Sequence, residues 1–163
     1  MGNIEGGAAV AQLQHQQDMD VFVEFSGFSL QESDEDFLDE EYPDGRRDGA
    51  GMLTAHVCRV DVKSEGHTHT APLTAEVWDA EPPADTSTEW EAQEEAELYS
   101  PSGELAVWSY GGAMEEYLYL GAEKMRWSIR VHCTGRSRVK ALTDHGVPHG
   151  AERYLVQFWP ADA

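Results

Sequence analysis

Hydrophobic and polar positions alternate along much of the chain after Met52. In the clearest stretch, one face carries Met125, Trp127, Ile129, Val131 and Cys133, and the other carries Arg126, Ser128, Arg130 and His132. Side chains that alternate with a period of two point to opposite faces of an extended strand. This stretch is therefore predicted to be a strand with one face in a hydrophobic core.

Similar runs, rich in β-branched and aromatic residues, recur along the sequence and are separated by turns that contain Gly or Pro. No long amphipathic helical pattern lies between them. We predict an all-β fold, an antiparallel β-sandwich of about eight strands with little helix. The runs lie within residues 20–30, 51–63, 72–80, 87–100, 104–110, 115–120, 125–133 and 153–159.

Two segments are less regular than these strands. Residues 1–18 mix Gly, Ala and Gln without a sustained period, so we predict a flexible N-terminal arm followed by a single domain at 19–163. At the start of 87–100, Thr88 and Glu91 resemble a helical capping box. We therefore predict a short helical turn there that leads into a strand.

A strongly acidic insertion occupies residues 31–48. It contains nine carboxylates between Glu32 and Asp48, and its only apolar side chains are Phe37, Leu38 and Tyr42. Pro43, Asp44 and Gly45 signal a turn. A purely solvating loop rarely needs apolar groups, so we expect this loop to dock on a partner or on its own domain.

The net charge is the most informative property of the composition. The chain has 11 basic and 31 acidic side chains, which gives −20, and residues 1–104 hold 25 of the acidic groups against 4 basic ones. Such a chain is not expected to bind nucleic acid directly through the phosphate backbone. The uneven placement shifts the balance toward a basic protein partner, although the charge by itself still favours a merely solubilising acidic surface.

The sequence also limits the cellular setting. No apolar run approaches the roughly 20 residues that a membrane span needs. Glu5 stands where a secretory signal would carry Lys or Arg, and Gly6 stands where a myristoylation motif needs Ser or Thr. We predict an unlipidated cytoplasmic protein with no membrane partner, in which Cys58 and Cys133 are buried, inward-facing reduced thiols.

Few residue patterns in the chain indicate chemistry. His67 and His69 could share one face of a strand, but a closed metal site needs further ligands, so we predict ordinary exposed histidines at a hairpin tip. Ser102 and Gly103 lack the frame of a nucleophile elbow. The acidic doublets at 94–95 and 115–116 should point to opposite sides of their strands. We therefore predict no catalytic residue, no metal site and no cofactor.

Five tryptophans leave a second functional class open. Trp127 belongs to a clean apolar face and is predicted to lie in the core. Trp78 and Trp159 lie opposite to Val77 and Val156 in their strands, and exposed rings there could stack on sugars. A carbohydrate- or small-ligand-binding β-sandwich module is therefore the alternative function.

Several strand and turn segments of the second half resemble the competence protein J family of small proteins. They are EVWDAEPP from Glu76, PSGELAVW from Pro101, YLYL from Tyr117, WSIRV from Trp127 and ERYLVQFWP from Glu152. The resemblance covers about residues 50–163. It implies a compact β-sandwich without catalytic activity that binds a nuclease, because the named member inhibits a DNA-entry nuclease. The insertion at 31–48 is not part of the family pattern, so no inhibitory residue is carried over.

The charge and the resemblance agree on one function. We predict a non-enzymatic acidic protein that inhibits or neutralises a basic protein partner, a nuclease, in the manner of an immunity protein. The predicted partner-binding residues all lie in the acidic insertion. They are Glu32, Asp34, Glu35, Asp36, Phe37, Asp39, Glu40, Glu41, Tyr42 and Asp44.

Overall fold

The computed structural model describes residues 10–37, 51–142 and 145–162 and shows an all-β protein. Its strands are β1 (Leu13–Val23), β2 (Gly27–Glu32), β3 (Leu53–His56), β4 (Arg59–Lys63), β5 (His69–Trp78), β6 (Ala92–Ser100), β7 (Glu104–Ser109), β8 (Gly112–Tyr119), β9 (Met125–Thr134) and β10 (Arg153–Pro160). A 3-10 turn spans Glu35–Phe37, and helix α1 spans Arg136–Leu142. In these described ranges, no helix is long and apolar enough to cross a membrane.

The strands form two five-stranded sheets. The first sheet has the order β1-β5-β10-β9-β6, and the second has the order β3-β4-β2-β7-β8. The described residues thus contain ten strands where the sequence predicted about eight. The pairing is not wholly antiparallel either, because β10 runs parallel to β5. Alternation of side chains shows which face of a strand is buried, but it carries no information about the direction of the neighbouring strand.

Both sheets contribute side chains to one hydrophobic core. The alternation of β5 is regular, with buried residues at every second position from His69 to Val77. Trp127 is 2% exposed, which confirms its predicted place in the core. The largest side chains of the core include those of Leu30, Leu105, Leu118, Ile129, Tyr154 and Phe158.

The ordered N-terminal strand is longer than expected. β1 begins at Leu13, so residues 13–18 belong to the first sheet and not to a flexible arm, and residues 1–9 lie outside the described part of the chain. After the exposed Leu13, the first residues of β1 are polar and mostly exposed, and this part of the strand pairs with β5 through the backbone. Backbone pairing at a sheet edge requires no apolar side chain, so the hydrophobic pattern did not indicate it.

The predicted helical turn at Thr88–Glu91 is wrong, because these residues form bends before β6. Glu91 instead caps another element. Its carboxylate accepts hydrogen bonds from the Gly135 amide at 2.7 Å and from the Ser137 amide at 3.3 Å, at the start of α1. The hydrogen bond from the Ser137 hydroxyl is the main reason that the pKa of Glu91 is lowered.

The two cysteines differ in environment, and no disulfide joins them. Cys133 faces the core and is fully buried, as predicted, and burial raises the pKa of its thiol to about 12. The prediction for Cys58 is wrong, because this residue is only half-buried in the turn between β3 and β4. The run at 51–63 alternates without a break, so its pattern did not reveal that Val57 and Cys58 form a turn.

Candidate functional site

Glu32 is the last residue of β2 and points into the protein. Its side chain is fully buried, and its carboxylate accepts hydrogen bonds from the Ser100 hydroxyl at 2.7 Å, the Ser102 hydroxyl at 2.6 Å and the Asp34 amide at 2.7 Å. A buried carboxylate needs such donors to offset the loss of water. The structure therefore corrects the prediction for Glu32, whose carboxylate is used inside the domain and is not available to a partner.

The turn that follows Glu32 brings three predicted residues to the surface. The Asp34 side chain accepts a hydrogen bond from the Asp36 amide at 3.0 Å, and the Asp34 carbonyl accepts one from the Phe37 amide at 3.1 Å. Glu35, Asp36 and Phe37 are exposed, and Phe37 retains 53% of its accessible surface. The hydrogen bonds to Asp34 thus hold a turn that presents an aromatic ring beside two carboxylates. We call residues 33–37 the acidic turn.

The remaining predicted partner-binding residues lie outside the described part of the chain. They are Asp39, Glu40, Glu41, Tyr42 and Asp44. The described portion of the candidate site is therefore the acidic turn.

The turn between β3 and β4 lies next to the acidic turn. The Glu32 amide donates to the Cys58 carbonyl at 2.9 Å, and the Tyr99 amide donates to the Val57 carbonyl at 2.8 Å. The Val57 side chain is 77% exposed. A groove of about 460 Å³ borders it, lined by His56, Val57, Glu97, Leu98, Tyr99 and Arg126. Val57 occurs inside an apparently continuous strand pattern, so the sequence did not indicate that its side chain is exposed on a turn.

A cluster around Asp61 holds β2, β3 and β4 together on the outer face of the second sheet. The Asp61 carboxylate accepts hydrogen bonds from the Ser29 hydroxyl and, at 2.7 Å, from Arg59 Nε, and it lies 3.2 Å from His56 Nε2. Burial acts to raise the pKa of Asp61, but the hydrogen bonds from Ser29 and Arg59 outweigh it, and the pKa is lowered. The Asp61 carboxylate therefore stays ionised, and its hydrogen bonds link the strands beside the candidate site.

Ser64, His69 and Glu152 resemble a catalytic triad in composition but not in geometry. The Ser64 hydroxyl lies 2.9 Å from His69 Nε2 and donates to Glu152 Oε1 at 2.6 Å. In a catalytic triad, the carboxylate would accept a hydrogen bond from the other ring nitrogen, Nδ1. In this structure His69 Nδ1 is buried without a hydrogen-bond partner. All three side chains are at most 2% exposed. Their geometry fixes the loop at 64–68 to β10 and does not present a nucleophile to a substrate.

His67 and His69 do not form a pair. His67 is exposed, whereas His69 is fully buried, so the prediction of two exposed histidines is wrong for His69. Across residues 10–37, 51–142 and 145–162, no three His, Cys, Asp or Glu side chains are grouped closely enough to hold a metal ion.

The tryptophans of the outer face of the first sheet are largely covered. Trp159 is 5% exposed, and the Arg130 guanidinium lies 4.9 Å from the centre of its ring. Arg130 also forms ion pairs with Glu81 at 2.8 Å and with Glu95 at 3.1 Å. Trp78 is half-buried and donates to Glu76 at 3.0 Å. The structure thus places Trp159 under an arginine, where it cannot serve as a platform for a sugar.

Comparisons with known proteins give two structures with this fold. No protein-family model and no curated protein sequence matches the chain. The crystal structure of ComJ from Bacillus subtilis, an inhibitor of the DNA-degrading activity of NucA, superposes with a TM-score of 0.59 at 11% identity, covering 94% of this chain and 100% of ComJ. A second structure, of the crocagin biosynthetic gene J protein, gives a TM-score of 0.58 at 9% identity, covering 91% of this chain and 99% of the other. At these identities the likeness is one of fold.

Proposed function

We propose that this chain is a non-enzymatic acidic binding protein that inhibits or neutralises a basic protein partner, and that this partner is a nuclease. The observation that carries the proposal is the exposed ring of Phe37 beside the exposed carboxylates of Glu35 and Asp36. The likeness to ComJ supports the same role, because ComJ inhibits a nuclease and has a similar fold. We also propose that the two sheets form a β-sandwich, since side chains of both contribute to one core.

The acidic turn combines the two contributions that a specific interface needs. A nuclease presents a cationic surface to phosphate, so the net charge of −20 steers it toward this protein and speeds association. Charge at the rim contributes little to the lifetime of a complex, which depends on apolar anchors that exclude water. Phe37 is the anchor in the acidic turn, and Val57 supplies a second exposed apolar group on the neighbouring turn.

Inhibition assays test the proposal directly. The purified chain is mixed with a panel of basic nucleases that cleave DNA without sequence preference, and cleavage is measured from low to high salt. We expect inhibition of at least one nuclease, with association that slows as salt is added. Absence of inhibition across the panel would contradict the proposal.

Paired variants assign the site. Phe37→Ala and the double variant E35Q/D36N should weaken inhibition. The matched control E115Q/E116Q removes the same charge from two exposed carboxylates of β8 and should leave inhibition unchanged. Equal losses in the two double variants would show that net charge alone, and not the acidic turn, is responsible.

A further inference from the structure

The hairpin turn between β1 and β2 holds an aromatic residue in an unfavourable backbone conformation. Glu24 and Gly27 exchange backbone hydrogen bonds of 3.2 and 3.1 Å across this turn, and its two central residues, Phe25 and Ser26, have φ values of 51° and 63°. A two-residue turn with both φ values positive favours sequences such as Asn-Gly. A bulky residue there strains the backbone, and such strain points to a role for the side chain.

The Phe25 ring belongs to an exposed aromatic cluster. It lies 4.5 Å from the Tyr110 ring and 5.0 Å from the His67 ring, and Phe25 and Tyr110 are 53% and 68% exposed. These three residues belong to three separate turns that hydrogen bonds hold in place. The Ser26 amide donates to the His67 carbonyl at 2.8 Å, and the Gly111 amide donates to the Glu24 carboxylate at 2.8 Å. The cluster is therefore preorganised.

Helix α1 packs against the loop that carries His67 and brings positively charged side chains to this end of the protein. Arg136 donates to the Lys63 carbonyl at 3.1 Å and to Glu65 at 3.1 Å. A Cβ at Gly66 would come within 2.7 Å of Val139, so α1 lies directly on the loop that carries His67. Arg138 and Lys140 flank Val139 on the helix and are exposed.

Three cations at this end have no ion pair among the described residues, whereas two carboxylates of the turns are engaged. Glu24 is bound to the Gly111 amide, and Glu65 is paired with Arg136. Among the described residues, the side chains of Lys63, Arg138 and Lys140 are exposed, and neither an ion pair nor a hydrogen bond engages them. In a protein of net charge −20, three exposed cations without an ion pair, on the strand end and the helix that adjoin the loop of His67, depart from the general surface.

From this arrangement we infer a second interaction surface, formed by Phe25, His67, Tyr110, Lys63, Arg138 and Lys140, that binds a short acidic segment of a partner protein carrying an aromatic or aliphatic side chain. The aromatic cluster supplies the apolar contact, and the three cations supply the charge complementarity. A nucleic acid fits less well, because a long polyanion would extend from this end onto the acidic remainder of the protein.

This surface is separate from the acidic turn. Phe25 precedes the start of β2 and Glu32 ends it, and six residues of extended chain span about 20 Å. The two surfaces therefore lie at opposite ends of the strand and carry opposite charge. One molecule can bind a basic partner at one end and an acidic partner at the other, and the second interaction does not depend on the first.

A labelled peptide tests the inference without knowledge of the natural partner. Fluorescence anisotropy is measured with the peptide DEEFDEED, with the peptide KKKFKKKK and with a single-stranded oligonucleotide of twelve thymidines. We expect saturable binding of the acidic peptide only. Equal binding of the basic peptide, stronger binding of the oligonucleotide, or no binding of the acidic peptide would each overturn the inference.

Variants locate the binding. Tyr110→Ala should lower the affinity for the acidic peptide by about fivefold or more, because an aromatic anchor is lost. The double variant R138E/K140E should abolish detectable binding. The single variant K140E should weaken binding more than its matched control, Lys124→Glu. Lys124 is an exposed lysine near Pro101, at the other end of the protein. An equal effect of K140E and of the Lys124 control would reduce the interaction to net charge and overturn the proposed surface.

Phe25→Asn separates a binding role from a structural one. Asn tolerates a positive φ better than Phe, so this variant should keep or raise the melting temperature while it loses peptide binding. A ring that merely braces the turn would give the reverse result, a lower melting temperature with binding retained.

Discussion

The Ser100 hydroxyl donates a hydrogen bond of 2.7 Å to the buried carboxylate of Glu32, and this contact joins the end of β2 to the end of β6 across the two sheets. Ser102 adds a second hydroxyl donor at 2.6 Å. The same carboxylate accepts the Asp34 amide, so the interior of the protein and the first residues of the acidic turn share one anchor. The position of Phe37 is therefore set from inside the fold.

Replacement of Glu32 should destabilise the protein more than replacement of any exposed carboxylate. In Glu32→Gln, an amide NH2 faces the serine donors and one buried hydroxyl loses its acceptor. We expect the free energy of unfolding to fall by about 1–3 kcal/mol, the usual cost of an unsatisfied buried polar group. Urea unfolding checks this value. Glu116→Gln is the surface control and should change stability by less than about 0.5 kcal/mol.

Variants of the acidic turn should affect the association and dissociation rate constants of partner binding differently. If the proposed function holds, Phe37→Ala raises the dissociation rate about tenfold, because it removes a desolvated anchor. The E35Q/D36N variant mainly lowers the association rate and its salt dependence, because long-range attraction acts before contact. Surface plasmon resonance with an inhibited nuclease measures both rates. A dissociation rate that stays unchanged in Phe37→Ala would exclude this ring as the anchor.

The sequence pattern predicted the core of this fold better than its edges. The alternation around Trp127 correctly identified the buried face of β9, because burial imposes that pattern directly. It did not identify Glu32 as buried, because an acidic residue among eight other carboxylates has no local sign that it faces serines far away in the chain. The parallel pairing of β10 with β5 is likewise a long-range property.

The acidic doublets show where sequence reasoning succeeded. Glu94 and Glu95 were expected to point to opposite sides, and they do. Glu94 accepts the Met52 amide at 2.6 Å, whereas Glu95 pairs with Arg130 on the outer face. The period of two fixes this divergence without any knowledge of the partners. The aromatic cluster at Phe25 could not be found in this way, because it is built from three turns that are distant in sequence.

The two cysteines should differ in reactivity with a thiol reagent. Cys58 is half-buried in a surface turn, so we expect it to be labelled by Ellman's reagent in the native protein. Cys133 is fully buried, and the pKa of its thiol is raised to about 12, so it should react only after unfolding. One thiol per chain should therefore react without urea and two with urea. Cys58→Ser should remove the native reaction, and persistence of that reaction would mean that Cys133 is accessible.

Two buried histidines should make the protein less stable in mild acid. Burial lowers the pKa of both His69 and His132, although Glu152 opposes this at His69 and the Leu155 carbonyl opposes it at His132. Both side chains are fully buried. Below the unfolded pKa of about 6.5, the unfolded chain binds protons at these positions that the folded chain does not. The unfolded state is therefore favoured as the pH falls through this value, and the full stability is present above it.

The expected slope is at most about 1.4 kcal/mol per pH unit for each histidine, between pH 6.5 and the lowered pKa of the folded state. Urea unfolding at pH 7.5, 6.5, 6.0 and 5.5 measures it. His132→Gln should reduce the slope by about half, because the Gln side chain does not titrate. The carboxylates with lowered pKa values, Asp61, Asp85 and Glu91, lose their stabilising contribution only in stronger acid, so they do not obscure the effect of the histidines between pH 6.5 and 5.5. Stability that is constant from pH 7.5 to 5.5 would mean that both buried imidazoles accept a proton in the folded state as readily as in the unfolded one.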